Sequence, residues 1–208
     1  MATIFIHGLG QTPASWEKTT NGLDSATDTY CPNLSKLLIN KEINYSNLYK
    51  AFCEYCDKIS GTINLCGLSL GAILALQYTL EHPGKIDSLV LIAAQYQMPK
   101  KLLAFQNVLF KFMPKKIFVG MGFGKKEFIA LSKSMMNIDL SKELKKIKCP
   151  VLLLCGEKDH TNKKAAVGLS KEIKGSKLMY IENSGHEVNI DNPEKLANVL
   201  NEFFASYF

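Results

Sequence analysis

Asn64-Leu65-Cys66-Gly67-Leu68-Ser69-Leu70-Gly71 is the stretch whose reading decides the fold. An apolar run at 63–66 enters a Gly-x-Ser-x-Gly turn, and an apolar helix at 70–80 leaves it. In that strand–turn–helix setting the motif holds a serine on a strained backbone, with its hydroxyl pushed out above the edge of a sheet. Gly67 and Gly71 are required because a side chain at either position would meet the neighbouring strand or helix. The helix N-terminus behind Ser69 places partial positive charge where an oxyanion would form.

Outward from this turn the chain alternates. Strands are predicted at 2–6, 27–31, 88–93, 150–155 and 178–181, with a long helical stretch between 88–93 and 150–155. Tyr45, Leu48, Tyr49, Phe52, Cys56 and Ile59 follow helical spacing, and Gly61 closes that helix. Further helices fit 162–174 and the amphipathic end of the chain, where Asn192-Pro193 precedes Leu196, Val199, Leu200, Phe203 and Phe204. Strands alternating with helices predict an α/β fold: a mostly parallel sheet of about six strands, flanked by helices. No internal repeat or low-complexity segment interrupts it.

The pattern changes after Ala94. Residues 96–148 carry helical stretches at 100–113 and 125–137, joined by Gly120-Met121-Gly122-Phe123-Gly124. A connection of this length in a compact sheet implies a function of its own. The reading is a core of residues 1–95 and 149–208 with a helical lid at 96–148. The glycine cluster is no phosphate loop, since its spacing to Lys125 is wrong and no Ser or Thr follows. Some of the lid's apolar residues must seal it to the core. The excess of aromatic and methionine residues points to an apolar acyl pocket, with Phe105, Phe110, Phe123 and Met135 as its candidate lining. The same composition would suit an amphipathic surface touching lipid, its lysines meeting anionic headgroups. The pocket is the reading adopted.

At 208 residues, 47% apolar and 21% charged, the chain has the length of one domain with a modest insertion. Residues 1–10 show neither a basic n-region nor a long apolar h-region, so no signal peptide is expected, and no apolar run approaches a membrane span. Cys53 and Cys56 form a C-x-x-C within a helical pattern, but no second pair completes a zinc site. Reduced thiols and a cytoplasmic location are the expectation for the six cysteines. All 25 basic residues are lysine, and 12 of them fall between Met98 and Lys148 against three acids. The formal charge of +6 is therefore concentrated in the insertion, and the rest of the chain is net negative. Lysine without arginine is poor material for bidentate phosphate recognition, so a nucleic-acid partner is not expected.

Four chemically notable groups each directly follow a strand: His7-Gly8-Leu9-Gly10, Ser69, Asp159 and His186. In an open parallel sheet, ligands bind beyond the carboxyl ends of the strands. With H-G-L-G-Q-T, G-L-S-L-G, C-P-V-L-L-L-C-G-E-K-D, and N-S-G-H-E followed by D-N-P-E, the chain resembles the α/β-hydrolases over essentially its whole length. It departs from larger members in lacking their first two strands, which are remote from the site.

The resemblance implies Ser69 as nucleophile, His186 as its general base, and Asp159 as the carboxylate that orients His186. Glu157 is a nearby rival for the acid. No carboxylate follows Ala93-Ala94-Gln95, where some family members place theirs, and this favours Asp159. Backbone N–H groups of Leu9 and Leu70 would form the oxyanion hole. His7 would brace the oxyanion loop, with Gly8, Gly67 and Gly71 in support. His82 and His160 read as surface residues, Glu187 either supports the base or is solvated, and Trp16 packs. No cofactor or metal is implied. The expected partner is a small acyl substrate, cleaved at a carboxylic ester or related acyl bond. The alternatives are an acyl-thioesterase, a lyase of the menaquinone-pathway synthase type, and a binding protein that has lost catalysis. Relatives of the lyase type hold substrate carboxylates with arginines, which this chain lacks, and a non-catalytic relative would be expected to lose a triad member.

Overall fold

The computed structural model describes residues 2–24 and 28–207. The β-branched run β1 (Ala2–Ile6) leads through a 3₁₀ turn at Pro13–Trp16 into α1 (Glu17–Asn21), and then come β2 (Asp28–Tyr30) and α2 (Leu34–Leu37). Position 27 of the expected second strand lies outside the described residues. Next are α3 (Tyr45–Cys56), β3 (Ile63–Leu68), α4 (Leu70–Glu81) and β4 (Ile86–Ile92). The insertion contributes α5 (Lys100–Phe112) and α6 (Lys125–Ser134). The chain then returns as β5 (Val151–Gly156), α7 (His160–Glu172), β6 (Lys177–Ile181), α8 (Val188–Asp191) and α9 (Pro193–Ala205). Sequence periodicity located the longer elements. It did not reveal α2 or α8, each a single turn and too short to carry a period.

All six strands pair in parallel, in the order β2-β1-β3-β4-β5-β6. Successive side chains on a strand point to opposite faces, so each central strand divides its residues between two cores. Ile4, Ile6, Leu65, Leu89, Leu91 and Leu153 pack beneath α3, α4 and the insertion. Phe5, Cys66, Leu68, Val90, Ile92 and Leu154 pack beneath Trp16 and the apolar face of α9. Trp16 is fully buried and meets the Phe5 ring at 5.3 Å, as its packing role required. The three-layer arrangement explains why the central strands read as unbroken apolar runs. Near the start of the strands lies a small buried polar belt. Ser88 donates to the Asn64 side-chain carbonyl at 2.7 Å, and the Asn64 amide reaches Thr3 Oγ1 at 3.3 Å.

The insertion leaves β4 and returns to β5 through a short antiparallel bridge. Met98 N–H donates to the Ile138 carbonyl at 3.0 Å and Leu140 N–H to that of Tyr96 at 2.7 Å. Inside it, Phe118 and Phe128 meet at 5.3 Å and Phe110 meets Phe128 at 5.0 Å. Phe118, Phe128, Leu131 and Met135 merge with the α3–α4 side of the core. A second tie is the Ser134 hydroxyl, which accepts from Tyr45 N–H at 2.8 Å.

Candidate active site

A parallel sheet sends the carboxyl ends of its strands to one edge, and every site segment named from the sequence emerges there. Ser69 sits between β3 and α4 with φ 55° and ψ −112°, a conformation that costs on the order of 1–3 kcal/mol for a residue with a side chain. Its N–H donates to the Ile92 carbonyl at 2.9 Å, which fixes the turn against β4. A Cβ on Gly71 would collide with the carbonyl group of Ile6, and one on Gly67 would lie 2.6 Å from Ala72 N. The turn is possible because α4 can lie directly against β1.

Asp159 is buried and caps α7. Its Oδ1 accepts from Asn162 N–H at 3.2 Å, and the Asn162 side-chain amide donates to both carboxylate oxygens at 3.0 and 2.7 Å. His186 Nδ1 stands 2.9 Å from Asp159 Oδ2. A carboxylate can only accept there, so Nδ1 carries a proton, and in the neutral imidazole it is Nε2 that keeps the lone pair. Burial pushes the Asp159 pKa up, but the bonds from His186 and Asn162 outweigh it and hold the group below its ordinary value. Glu157 instead accepts from Asn183 N–H at 3.1 Å in an exposed position and does not touch His186.

The loop after β1 is held from two sides. Leu34 N–H donates to His7 Nε2 at 3.2 Å, while Nδ1 faces the Gly8 carbonyl at 2.9 Å. These partners leave one tautomer, with the proton on Nδ1. On the other side Gln11 takes up Gly8 N–H at 3.3 Å, and its amide donates to Glu187 at 3.0 Å and Asn189 at 3.1 Å. Asn189 returns a bond to Gln11 Oε1 at 3.2 Å. Glu187 therefore supports the first loop. His160 is exposed, and His82 stacks on Tyr78 at 4.3 Å, remote from this edge.

Leu9, Ser69, Leu70 and His186 line a cavity of about 220 Å³, whose remaining wall includes Ile73, Met98, Leu103, Phe110, Phe128 and Met135. Leu70 N–H opens α4, where a helix offers it no acceptor of its own. Of the four residues expected to line an acyl pocket, Phe110 and Met135 lie on the wall of this cavity. Phe105 and Phe123 do not. Phe105 lies about 140° around the helix from Phe110 and faces outward, and Phe123 is buried in the core that the insertion shares with the α3–α4 side of the sheet.

The sequence reading missed Asn162, Gln11, Asn189, Gln95 and Gly156. Gln95 stands where a carboxylate was sought and donates to Asn162 Oδ1 at 2.7 Å. A Cβ at Gly156 would lie 2.6 Å from the Ser184 carbonyl oxygen, so glycine there lets the acid loop and the histidine loop touch. The glutamine of H-G-L-G-Q-T was visible, but nothing in one sequence says that it meets residues 176 and 178 positions away. All six cysteines are free thiols, and burial pushes those of Cys31, Cys149 and Cys155 up to about 11. Among the described residues no cluster of His, Cys, Asp and Glu is arranged to hold a metal ion, and no helix is long and apolar enough to cross a membrane.

The fold and the edge just described are those of an α/β hydrolase, and the chain belongs to the alpha/beta hydrolase family, whose model matches residues 3–199. Among curated proteins it is 32% identical over 134 residues to the probable lysophospholipase BODYGUARD 1 of Arabidopsis thaliana, covering 58% of this chain and 29% of that one. It is 27% identical over 164 residues to the monoacylglycerol lipase ABHD6 of Mus musculus, covering 69% and 48%. The chain thus spans about half or less of the length of these relatives. A solved structure from a study of Nitrososphaera gargenis carboxylesterases superposes with a TM-score of 0.81 at 18% identity, covering 99% and 90%. The names of the two curated relatives are those of a lysophospholipase and a lipase, while the solved structure at 18% identity bears on the fold.

Proposed function

We propose that this protein is a serine hydrolase that cleaves a carboxylic ester, or a related acyl bond, of a small substrate with an apolar acyl group. One observation carries the reading: a buried carboxylate holds His186 Nδ1 at 2.9 Å on the wall of a cavity that Leu9, Ser69 and Leu70 also line. An alcohol is a weak nucleophile, so His186 Nε2 takes the Ser69 proton as Oγ attacks the acyl carbon. The carbonyl oxygen becomes an oxyanion, stabilised by the two amides and the N-terminal end of α4. Collapse expels the alcohol, which receives the proton from His186 and leaves an acyl group on Ser69. Water, deprotonated by the same imidazole, releases the acid. Asp159 stabilises the imidazolium in both halves.

The cavity is smaller than the about 300–1,000 Å³ common for drug-sized ligands, which suits a short acyl group. No lysine lines it, so carboxylates at the reacting end would meet no cation, in keeping with ester cleavage over the lyase alternative. In this reading residues 96–148 act as a lid, with Leu103, Phe110 and Met135 as the acyl wall. The test is labelling by a fluorophosphonate probe, expected at Ser69 alone, with turnover of short p-nitrophenyl esters falling about 10⁴-fold or more in Ser69→Ala. Label at another serine, or turnover surviving in Ser69→Ala, would remove the assignment.

A further inference from the structure

The helix α5 is built inside out. Phe105, Val108, Leu109 and Phe112 recur at i, i+3, i+4 and i+7, the spacing of a core-facing stripe, yet they are 61, 49, 47 and 82% exposed. The opposite face carries Leu103, Gln106 and Phe110, which wall the cavity, and Asn107, which is 3% exposed. Neither polar atom of the Asn107 side chain has a hydrogen-bond partner. A helix folded only for a water-soluble surface would turn Asn107 outward and the two phenylalanines inward.

Charge narrows what the outward stripe meets. Between Lys100 and Lys126 the chain has seven lysines and no acidic residue. Among the described residues none of the seven forms an ion pair. Lys125 is spent on the Lys111 and Met113 carbonyls, which ties the end of α5 to the start of α6. Lys100 and Lys101 open the helix and Lys111 sits beside Phe112, so cations flank an apolar strip at both ends. Lysine stems can lie along an apolar surface while their ammonium groups reach anions, and the absence of arginine removes the fork that recognises single carboxylates or phosphates.

We propose that the outer face of α5 docks on an anionic lipid bilayer, with Phe105 and Phe112 entering the acyl boundary and the surrounding lysines meeting headgroups. The inner face of the same helix walls the cavity, so docking sets the catalytic site against the membrane and directs it to esters that partition into the bilayer and carry the short acyl group the cavity suits. That last step rests on the hydrolase reading above, whereas the docking does not.

Flotation of the intact chain with phosphatidylcholine vesicles, alone or mixed with phosphatidylglycerol, tests it. Anionic vesicles should bind roughly tenfold more tightly or better, and high salt should erase most of the difference. Phe105→Ser with Phe112→Ser should lower binding about tenfold, while melting temperature and hydrolysis of a short water-soluble ester stay at wild type. Lys100→Gln, Lys101→Gln and Lys111→Gln together should remove the preference for anionic vesicles. Ser69→Ala should bind as wild type does, so loss of the esterase reading leaves the surface standing. The proposal fails if wild type ignores anionic vesicles. It fails equally if the phenylalanine pair does not matter, or if sedimentation shows self-association through this face that Phe112→Ser abolishes.

Discussion

The carboxyl edge of the sheet and the outer helix of the insertion treat polar and apolar groups in opposite ways. At the edge, Asp159, His186, Asn162, His7, Gln11 and Asn189 are joined by named hydrogen bonds, and backbone approaches no longer than a van der Waals contact force glycine at 67, 71 and 156. In α5 a buried asparagine has no partner while four apolar side chains face out. An unpaired buried amide costs about 1–3 kcal/mol, and proteins rarely tolerate it without a reason. The first region is fixed by its own interior. The second leaves an apolar stripe uncovered.

The largest effect should come from the edge. Asp159→Asn keeps the packing volume but leaves His186 without its orienting carboxylate, so kcat for a short ester should fall by about 10⁴ in a chain that still folds. If Glu157→Gln were the damaging change instead, the acid would be misassigned. Glycines test the same contrast by stability. Gly71→Ala drives a Cβ into the Ile6 carbonyl and should destabilise by about 3 kcal/mol or more, whereas Gly120→Ala in the insertion meets nothing within 4 Å. Gly120 has φ +84°, so its alanine should cost only backbone strain, about 1–2 kcal/mol. Denaturant midpoints would compare them, and equal losses would mean the two regions are equally tight.

Within α5, Phe110→Ala should shift the ratio of kcat/KM between two- and eight-carbon acyl esters roughly tenfold, and Phe105→Ala should leave it unchanged. A matching shift from Phe105 would place both residues on the cavity wall. The smallest effect is a pH slope in stability. Burial lowers the His7 pKa from 6.5, against the opposing pull of its bond to the Gly8 carbonyl. The unfolded chain therefore takes up the proton first as pH falls below 6.5, and stability is lost between that value and the folded one. Protonation would also cost the bond that Nε2 accepts from Leu34 N–H. His7→Gln should flatten that slope in melts across the window. Asp159, depressed in the folded state, gives a separate loss only below 3.8, and Asp159→Asn should remove that one.

Much of this molecule was legible before any coordinates. Unbroken apolar runs located the strands and helical spacing the long helices, and Ser69, Asp159 and His186 were each read as directly following a strand. These are local properties: a turn that needs glycine, a helix that needs a cap and a strand buried on both faces each write themselves into neighbouring residues. The orientation of α5 was not legible, because periodicity finds a stripe but not the side on which the core lies. The expectation that Phe105 would line the pocket erred for that reason, and Phe123, in the glycine-rich connection outside α5, is buried in the core instead. Nor were the bonds of Gln95 to Asn162 and of Gln11 to Asn189 legible, since the partners are 67 and 178 positions apart and meet only when parallel strands bring their ends to one edge. Sequence fixes what a residue can do chemically and with its near neighbours. Which distant residue it meets, and whether an apolar stripe faces the core or the outside, is decided only by packing the whole chain.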